Sequence, residues 1–210
     1  VDGTARELVG EPPDDNFELA VRAAGSIGDF VLRSGRGVTL LCHERNWRQI
    51  QLTADGSGRR AILQALAEMR PDAPIPLDSG LRHLRTDGPH LLRTQSVTVV
   101  GISLHERLVR ALVRLREDGV RLSFCYVVGG SFSAESADEV ATLLPFLPDK
   151  DAGGPPDARH KTPALSAEAR ALLLSLSSAG IPSLTLNRGD DLVRHLSLWR
   201  AGHGARSAAL

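Results

Sequence analysis

The sequence predicts a three-layer α/β protein of Rossmann-like type, in which a mostly parallel sheet carries helices on both faces. Short apolar runs of strand type alternate along the chain with longer segments whose apolar residues recur at helical spacing. Glycine, the residue that most often ends a helix, follows several helical segments, as at Gly119 and Gly180. Strands that alternate with helices in this way form parallel sheets through right-handed crossovers.

The first half of the chain contains three helical and two strand-like segments. The run at 38–42, Val-Thr-Leu-Leu-Cys, is apolar except for Thr39, which is typical of a buried strand. The segment at 47–53 alternates like a half-exposed hairpin partner. The helical patterns cover 17–32, 57–69 and 77–84.

The second half repeats the alternation and then changes in composition. Its helical patterns cover 106–118, 166–179 and 190–199, and its strand patterns cover 96–102, 120–128 and 182–186. Pro, Gly and Asp are concentrated at 145–163, which predicts a flexible loop, and the Gly- and Ala-rich residues 201–210 predict a disordered tail. We therefore expect one domain over 1–200.

The charges of the chain balance, with 25 Lys and Arg against 25 Asp and Glu. Nucleic-acid-binding proteins normally carry a basic surplus, so we expect no nucleic-acid partner. No apolar stretch reaches the roughly 18 residues that span a bilayer, so this segment is expected to make no membrane contact. Cys42 and Cys125 lie inside apolar runs, which indicates buried, reduced thiols and a cytoplasmic location.

The residues at 101–105, Gly-Ile-Ser-Leu-His, lie between a predicted strand and a predicted helix and support two interpretations. One is the Gly-x-Ser-x-Gly nucleophile elbow of an α/β-type serine hydrolase, although histidine replaces the second glycine. Ser103 would then be the nucleophile, His195 the base, and Asp191 or the aspartate before it the acid. The other interpretation is a capping box, in which Ser103 caps the helix and Glu106 reciprocates.

Three arginines, Arg107, Arg110 and Arg114, share one face of the helix predicted over 106–118, with Arg121 beyond it. A solvated helix face is the ordinary interpretation of such a stripe in a chain without net charge. The alternative is a face that meets phosphates or an acidic partner.

Several motifs occur in a characteristic order between Val1 and about Trp199. They are NFELAVRAAGSI at 16–27 with GRGV at 35–38, GRRAILQALA at 58–67, and LREDGV at 115–120 with AGIP at 179–182 and GDDL at 189–192. In this order and spacing they resemble the bacterial family known as domain of unknown function 58, whose members are found beside MoxR-type AAA+ ATPases.

The resemblance implies a von Willebrand factor A-like domain, whose sheet serves as a platform for protein contacts. It further implies a non-enzymatic interaction module that works with a MoxR-type AAA+ ATPase in complex assembly or maturation. Family members usually carry two membrane helices and a small β-domain before this region, which would place the full-length protein at the cytoplasmic face of the membrane. Val1 is not methionine and begins what looks like the end of a strand, so we expect a fragment with a truncated first strand.

The resemblance also implies a position for Mg²⁺. Von Willebrand A domains often hold this ion with an Asp-x-Ser/Thr-x-Ser motif in the first loop, a threonine in the second and an aspartate in the third. Asp2 and Thr4 match the first motif, but Arg6 replaces its last hydroxyl. Ser79 is the candidate in the second loop, and the third loop at 101–103 has no carboxylate. We expect a degenerate site that binds Mg²⁺ weakly or not at all, and no other cofactor; a true Mg²⁺ site is the alternative.

Polar residues of these loops are candidates for binding a partner, because loops at the carboxyl ends of parallel strands share one edge of the sheet. We expect them to be exposed, so that substitutions at Arg6 or Ser103 change binding more than stability. Asp78 has an alternative interpretation as the N-cap of the helix that follows it. The candidates are Thr4, Arg6, Asp78, Ser79, Ser103 and His105.

Overall fold

The computed structural model describes residues 1–87, 96–133 and 165–197, in which strands and helices alternate. The helices are α1 (Asn16–Arg33), α2 (Gly56–Ala67), α3 (Leu77–Asp87), α4 (Glu106–Glu117), α5 (Ala167–Ser178) and α6 (192–197). The strands are β1 (Gly10–Glu11), β2 (Asp14–Asp15), β3 (Val38–Cys42), β4 (Arg48–Leu52), β5 (Ser96–Gly101), β6 (Arg121–Val127) and β7 (Ser183–Leu186). Short 3₁₀ turns lie at Ala5–Glu7 and Gly129–Phe132.

Side chains that accept backbone N–H groups mark where the longer helices begin. Asp15 caps α1, Asp55 caps α2 and Ser166 caps α5, each through a side-chain oxygen. Such a cap satisfies donors that have no partner inside the helix and contributes about 1 kcal/mol. The helix boundaries therefore follow from local sequence, within a few residues of the hydrophobic patterns.

Three strands form a parallel sheet in the order β5-β6-β7, with β6 in the centre. The strands β3 and β4 form an antiparallel hairpin, in which Leu40 lies opposite Ile50. Both arrangements agree with the expected mostly parallel sheet with one hairpin partner. A further two-residue ladder joins β1 to β2.

The first residues of the chain connect the hairpin to the parallel sheet. On one side, the Val1 nitrogen donates to the carbonyl of Leu41 (2.8 Å), and Asp2 forms a parallel bridge with His43. On the other side, the Asp2 N–H donates to the carbonyl of Val100 in β5 (2.9 Å). Side by side, the segments therefore lie in the order β4, β3, Val1–Asp2, β5, β6 and β7, which is the order of a doubly wound sheet. Within this order only the edge strand β4 is antiparallel to its neighbour.

Helices cover both faces of this sheet, as the sequence predicted. Consecutive residues of β5 point to opposite sides, so that Val100 packs in the core with α1 and α2, while Val99 packs in the core with α3, α4 and α5. In β6, Phe124 belongs to the second core and Cys125 to the first. Alternation along each strand thus separates the protein into three layers.

The apolar residues of the predicted strands at 38–42, 96–102, 120–128 and 182–186 are the expected core positions, and most of them are buried. Leu40, Val99, Leu122 and Phe124 are buried, and both cysteines are buried and free. Three further expected core residues are only half-buried, because Val38 and Val97 lie near the beginnings of their strands and Leu184 lies on the edge strand β7. The half-buried three nevertheless pack against the two cores.

Parts of the sequence-based prediction lie outside the described residues, namely the loop at 145–163, the tail at 201–210 and the end of the helix expected over 190–199. Within the described ranges, no helix combines the length and the apolar character needed to cross a membrane.

Candidate functional site

A buried carboxylate, that of Asp2, joins two loops at the carboxyl edge of the sheet. Its Oδ1 accepts hydrogen bonds from the backbone N–H (3.0 Å) and the hydroxyl (2.6 Å) of Thr4. Its Oδ2 accepts from the hydroxyl of Ser103 (2.9 Å) and from the N–H of Ile102 (3.3 Å), in the loop that follows β5. Asp2, Thr4 and Ser103, together with the neighbouring His43, are called the Asp2 cluster below.

The location of the Asp2 cluster follows from the strand order. The order reverses between the segment Val1–Asp2 and the neighbouring β5, whose exit loop contains Ser103. In doubly wound sheets the loops that leave the strands on either side of such a reversal separate, and ligands bind in the crevice between them. In this protein the hydrogen bonds of Asp2 connect the two loops, and Asp2 itself is fully buried.

The charge of Asp2 is favoured by its neighbours. Burial alone disfavours the ionised form, but the nearby His43 ring and the hydrogen bonds from Thr4 and Ser103 outweigh that effect and lower the pKa of Asp2. His43 Nδ1 lies 3.6 Å from Asp2 Oδ1, which is beyond ordinary hydrogen-bonding distance. The cluster therefore holds an ionised carboxylate inside the protein.

His43, for which the sequence indicates no role, lies beneath α3. Its ring is fully buried and packs against the Trp47 ring, with 4.8 Å between the centroids. Gly80 of α3 comes so close that a Cβ there would lie 2.6 Å from the Trp47 ring and 3.0 Å from His43 Nε2. The only sequence signal for His43 was its position directly after a buried strand.

A second polar group, Asp78 and His105, lies where α3 and α4 begin. Asp78 is 3% exposed; its Oδ2 pairs with Arg82 Nη2 (3.1 Å), and its Oδ1 lies 3.8 Å from His105 Nε2. Asp78 Oδ1 has no hydrogen-bond partner in the described part of the chain. The expectation that Asp78 is an N-cap was wrong, because it is the second residue of α3 and thus lies inside the helix.

The expected capping box at α4 was also wrong. The helix begins at Glu106 with His105 as its N-cap, and His105 Nδ1 accepts the N–H of Leu108 (3.2 Å). Ser103 lies two residues before that cap, and its hydroxyl donates to Asp2 instead. Histidine is not among the residues that usually cap helices, so the local sequence did not indicate His105 as the N-cap.

The six candidate partner-binding residues differ in exposure. Thr4, Asp78 and Ser103 are buried, so the expectation that they are surface residues was wrong. The hydroxyls of Thr4 and Ser103 donate to Asp2, and Asp78 accepts from Arg82 through Oδ2 alone. Arg6 is exposed in the first 3₁₀ turn, whereas Ser79 and His105 are half-buried.

The hydrolase arrangement is not assembled in the described residues. The Ser103 hydroxyl donates to Asp2, and no hydrogen bond joins it to a histidine within that part of the chain. His195 lies near two other residues, with its Nδ1 3.0 Å from the carbonyl of Asp191 and its Nε2 3.7 Å from Asp190. A serine nucleophile needs a base within hydrogen-bonding reach. The group that Ser103 reaches is the Asp2 carboxylate, which accepts four hydrogen bonds from the protein, the one from Ser103 included.

The residues around Asp2 do not fit a magnesium ion well. Both oxygens of Asp2 accept hydrogen bonds from the protein, and the third loop offers the Ser103 hydroxyl rather than a carboxylate. The Ser79 hydroxyl accepts from Arg82 Nη2 (2.9 Å). Within the ranges the structure describes, no three His, Cys, Asp or Glu side chains are grouped so that they could hold a metal. Mg²⁺ prefers several carboxylate or carbonyl oxygens in a near-octahedral arrangement.

Comparison of the chain with protein-family models, with curated proteins and with solved structures gives no match.

Proposed function

We propose that this chain is a von Willebrand factor A-like, non-enzymatic interaction module that works with a MoxR-type AAA+ ATPase in complex assembly or maturation. The observation that carries the proposal is the hydrogen bonding of Asp2 to Thr4 and Ser103, which connects the loops at the strand-order reversal. A carboxylate that is used in this way holds the sheet edge together and is not free for chemistry on a substrate.

A sheet edge whose loops are already joined by hydrogen bonds is well suited to binding a protein partner. Because Asp2 ties its own loop to the loop after β5, the edge is formed before a partner arrives, and little ordering entropy is lost on binding. Arg6, exposed beside the cluster, supplies a charged group of the kind that interfaces favour. Ser79 and His105 are partly accessible on the neighbouring loops.

The choice of partner rests on the family resemblance of the motifs at 16–27, 58–67 and 115–120. A MoxR-type ATPase works in the cytoplasm, and we place this module there or, in the full-length protein, at the cytoplasmic face of the membrane. No observation on the described residues favours the serine-hydrolase alternative.

The test is binding of the purified domain to a MoxR-type AAA+ ATPase of the same organism, measured by biolayer interferometry with ATP. We expect Arg6→Glu to slow association and to change the salt dependence of binding, because a charge at an interface rim acts mainly on the association rate. Arg170→Glu is the matched control, since Arg170 is also exposed but lies on α5, and it should bind like the unmodified protein. Absence of binding by the unmodified domain, or equal effects of both variants, would show that the proposal is wrong.

A further inference from the structure

A groove between α3 and α4 concentrates positive charge that the function proposed above does not use. Its volume is about 260 Å³, and the charged side chains along it are five arginines and one carboxylate. They are Arg82 and Arg85 from α3, Arg107, Arg110 and Arg114 from α4, and Asp78. The chain as a whole has no net charge, so the positive charge along the groove is a local excess and does not reflect a basic protein.

Three of the five arginines have acidic partners among the described residues, and two have none. Arg82 Nη2 lies 3.1 Å from Asp78 Oδ2, with the Arg82 side chain 62% exposed. Arg85 pairs with Asp118 at 3.6 Å and Arg110 pairs with Glu106 at 3.5 Å, and all four side chains are nearly half exposed or more. Exposed ion pairs at such distances are weak and contribute about 0–1 kcal/mol each to stability, so these arginines can exchange their partners for a ligand. The side chains of Arg107 and Arg114 make no hydrogen bond or ion pair with any described residue.

The spacing of the arginines indicates the shape of the ligand. Positions 107, 110 and 114 spread along about 10 Å of helix axis, at 1.5 Å per residue, and 82 and 85 follow the facing helix. A single phosphate needs guanidinium groups that converge on one point, whereas two rows of guanidinium groups fit a row of carboxylates. An extended peptide covers that distance with about three residues.

A second feature at the groove favours a peptide over a simple anion. Asp78 lines the groove, and its carboxylate, which pairs with Arg82 through Oδ2, puts one acceptor among the five arginines. An acceptor in this position is repelled by phosphate or carboxylate but satisfied by an N–H donor. A peptide supplies backbone N–H groups beside its acidic side chains, and an inorganic anion has none.

We propose that the groove between α3 and α4 binds an acidic segment, rich in Asp and Glu, of a partner protein. Arg107 and Arg114 form the main contacts, since they have no partners to give up, and bidentate pairing with carboxylates is the geometry that arginine favours. The inference does not depend on the identity of the ATPase or on Arg6.

The test uses fluorescence anisotropy of a labelled peptide, Gly-Ser-Glu-Asp-Glu-Asp-Gly-Ser, with the purified domain. We expect binding that weakens as salt rises, and a loss of about tenfold or more in the double variant Arg107→Glu/Arg114→Glu. Arg107→Lys/Arg114→Lys should lose less, because charge remains while bidentate pairing is lost. Unchanged binding by the charge-reversed variant would overturn the proposal.

The matched control is Arg22→Glu/Arg60→Glu, which changes the net charge equally with exposed arginines of α1 and α2 on the opposite face of the sheet. It should bind the peptide like the unmodified domain, and an equal loss would show that only net charge matters. The same peptide with Gln and Asn in place of Glu and Asp should not bind. Tighter groove-dependent binding of inorganic phosphate or of a single-stranded oligonucleotide than of the acidic peptide would also overturn the proposal.

Discussion

Ser103 and Asp2 are joined by a hydrogen bond of 2.9 Å although they lie 101 positions apart in the chain. Both side chains are buried, at 3% and 0% exposure, and the bond connects the first loop of the protein to the loop after β5. A polar contact between strands that meet where the strand order reverses thus stabilises the edge at which ligands of such sheets normally bind.

Removal of this hydrogen bond should destabilise the protein. Ser103→Ala leaves the ionised Asp2 with one donor fewer in a buried position, and we expect a loss of about 1–3 kcal/mol in the free energy of unfolding. Urea denaturation measures the change. Ser175→Ala, at an exposed serine of α5, is the control and should stay within about 0.5 kcal/mol of the unmodified protein. Equal stability of both variants would contradict the buried hydrogen bond.

The lowered pKa of Asp2 makes stability depend on acid. Because the folded state lowers the pKa of Asp2 below the ordinary 3.8, the unfolded state binds more protons in acid. The stabilisation by Asp2 is complete above the unfolded pKa and is lost as the pH falls through the lower folded pKa. Asp2→Asn cannot titrate, so its stability should fall less steeply than that of the unmodified protein between about pH 5 and pH 2. Parallel urea curves across this range would refute the prediction.

Magnesium should bind the domain weakly or not at all. The Asp2 oxygens are used by Thr4 and Ser103, so an ion would have to displace internal hydrogen bonds. Titration calorimetry should show no saturable heat below millimolar Mg²⁺. A dissociation constant in the micromolar range would restore the alternative of a true metal site.

A carboxylate in the second core should unfold much of the protein. Val99 is 7% exposed on β5 and packs with residues of α4. Val99→Asp places an unpaired charge there, at a cost of about 3 kcal/mol or more, and should lower the melting temperature accordingly. Gln51→Asp, at an exposed position of the edge strand β4, is expected to change it little. An unchanged melting temperature for Val99→Asp would show that β5 is assigned incorrectly.

Two glycines at the start of α2 should respond differently to alanine. A Cβ at Gly58 would lie 2.0 Å from the carbonyl oxygen of Thr53, a backbone atom that cannot move aside easily, whereas a Cβ at Gly56 would meet nothing within 4 Å. Gly58→Ala should therefore lose about 1–3 kcal/mol of stability, as overpacked sites do. Gly56→Ala should be neutral or gain about 0.5 kcal/mol, because alanine lowers the entropy of the unfolded chain. The opposite order in thermal denaturation would contradict the close approach of Thr53.

The sequence by itself determined the elements of this protein and the faces of its sheet. Periodicity predicts α1, α2 and α4 because a stripe of apolar residues must be buried, and short, mainly apolar runs predict β3, β5 and β6. The sequence also predicted that the loops containing Asp2 and Ser103 meet at the carboxyl edge, because the loops that follow parallel strands lie at the same edge of a sheet. These properties depend on residues that are close together in the chain.

Tertiary structure alone decided which polar residues of that edge are buried and which are exposed. A serine after a strand looks the same in sequence whether it faces water, caps a helix or donates to a carboxylate 101 positions away, as Ser103 does. His105, not Ser103, caps α4, because the chain directs the serine inward to Asp2. The partner of a buried polar group is set by strand order and by the close packing of helices, as at Gly80, and neither is encoded in a local pattern.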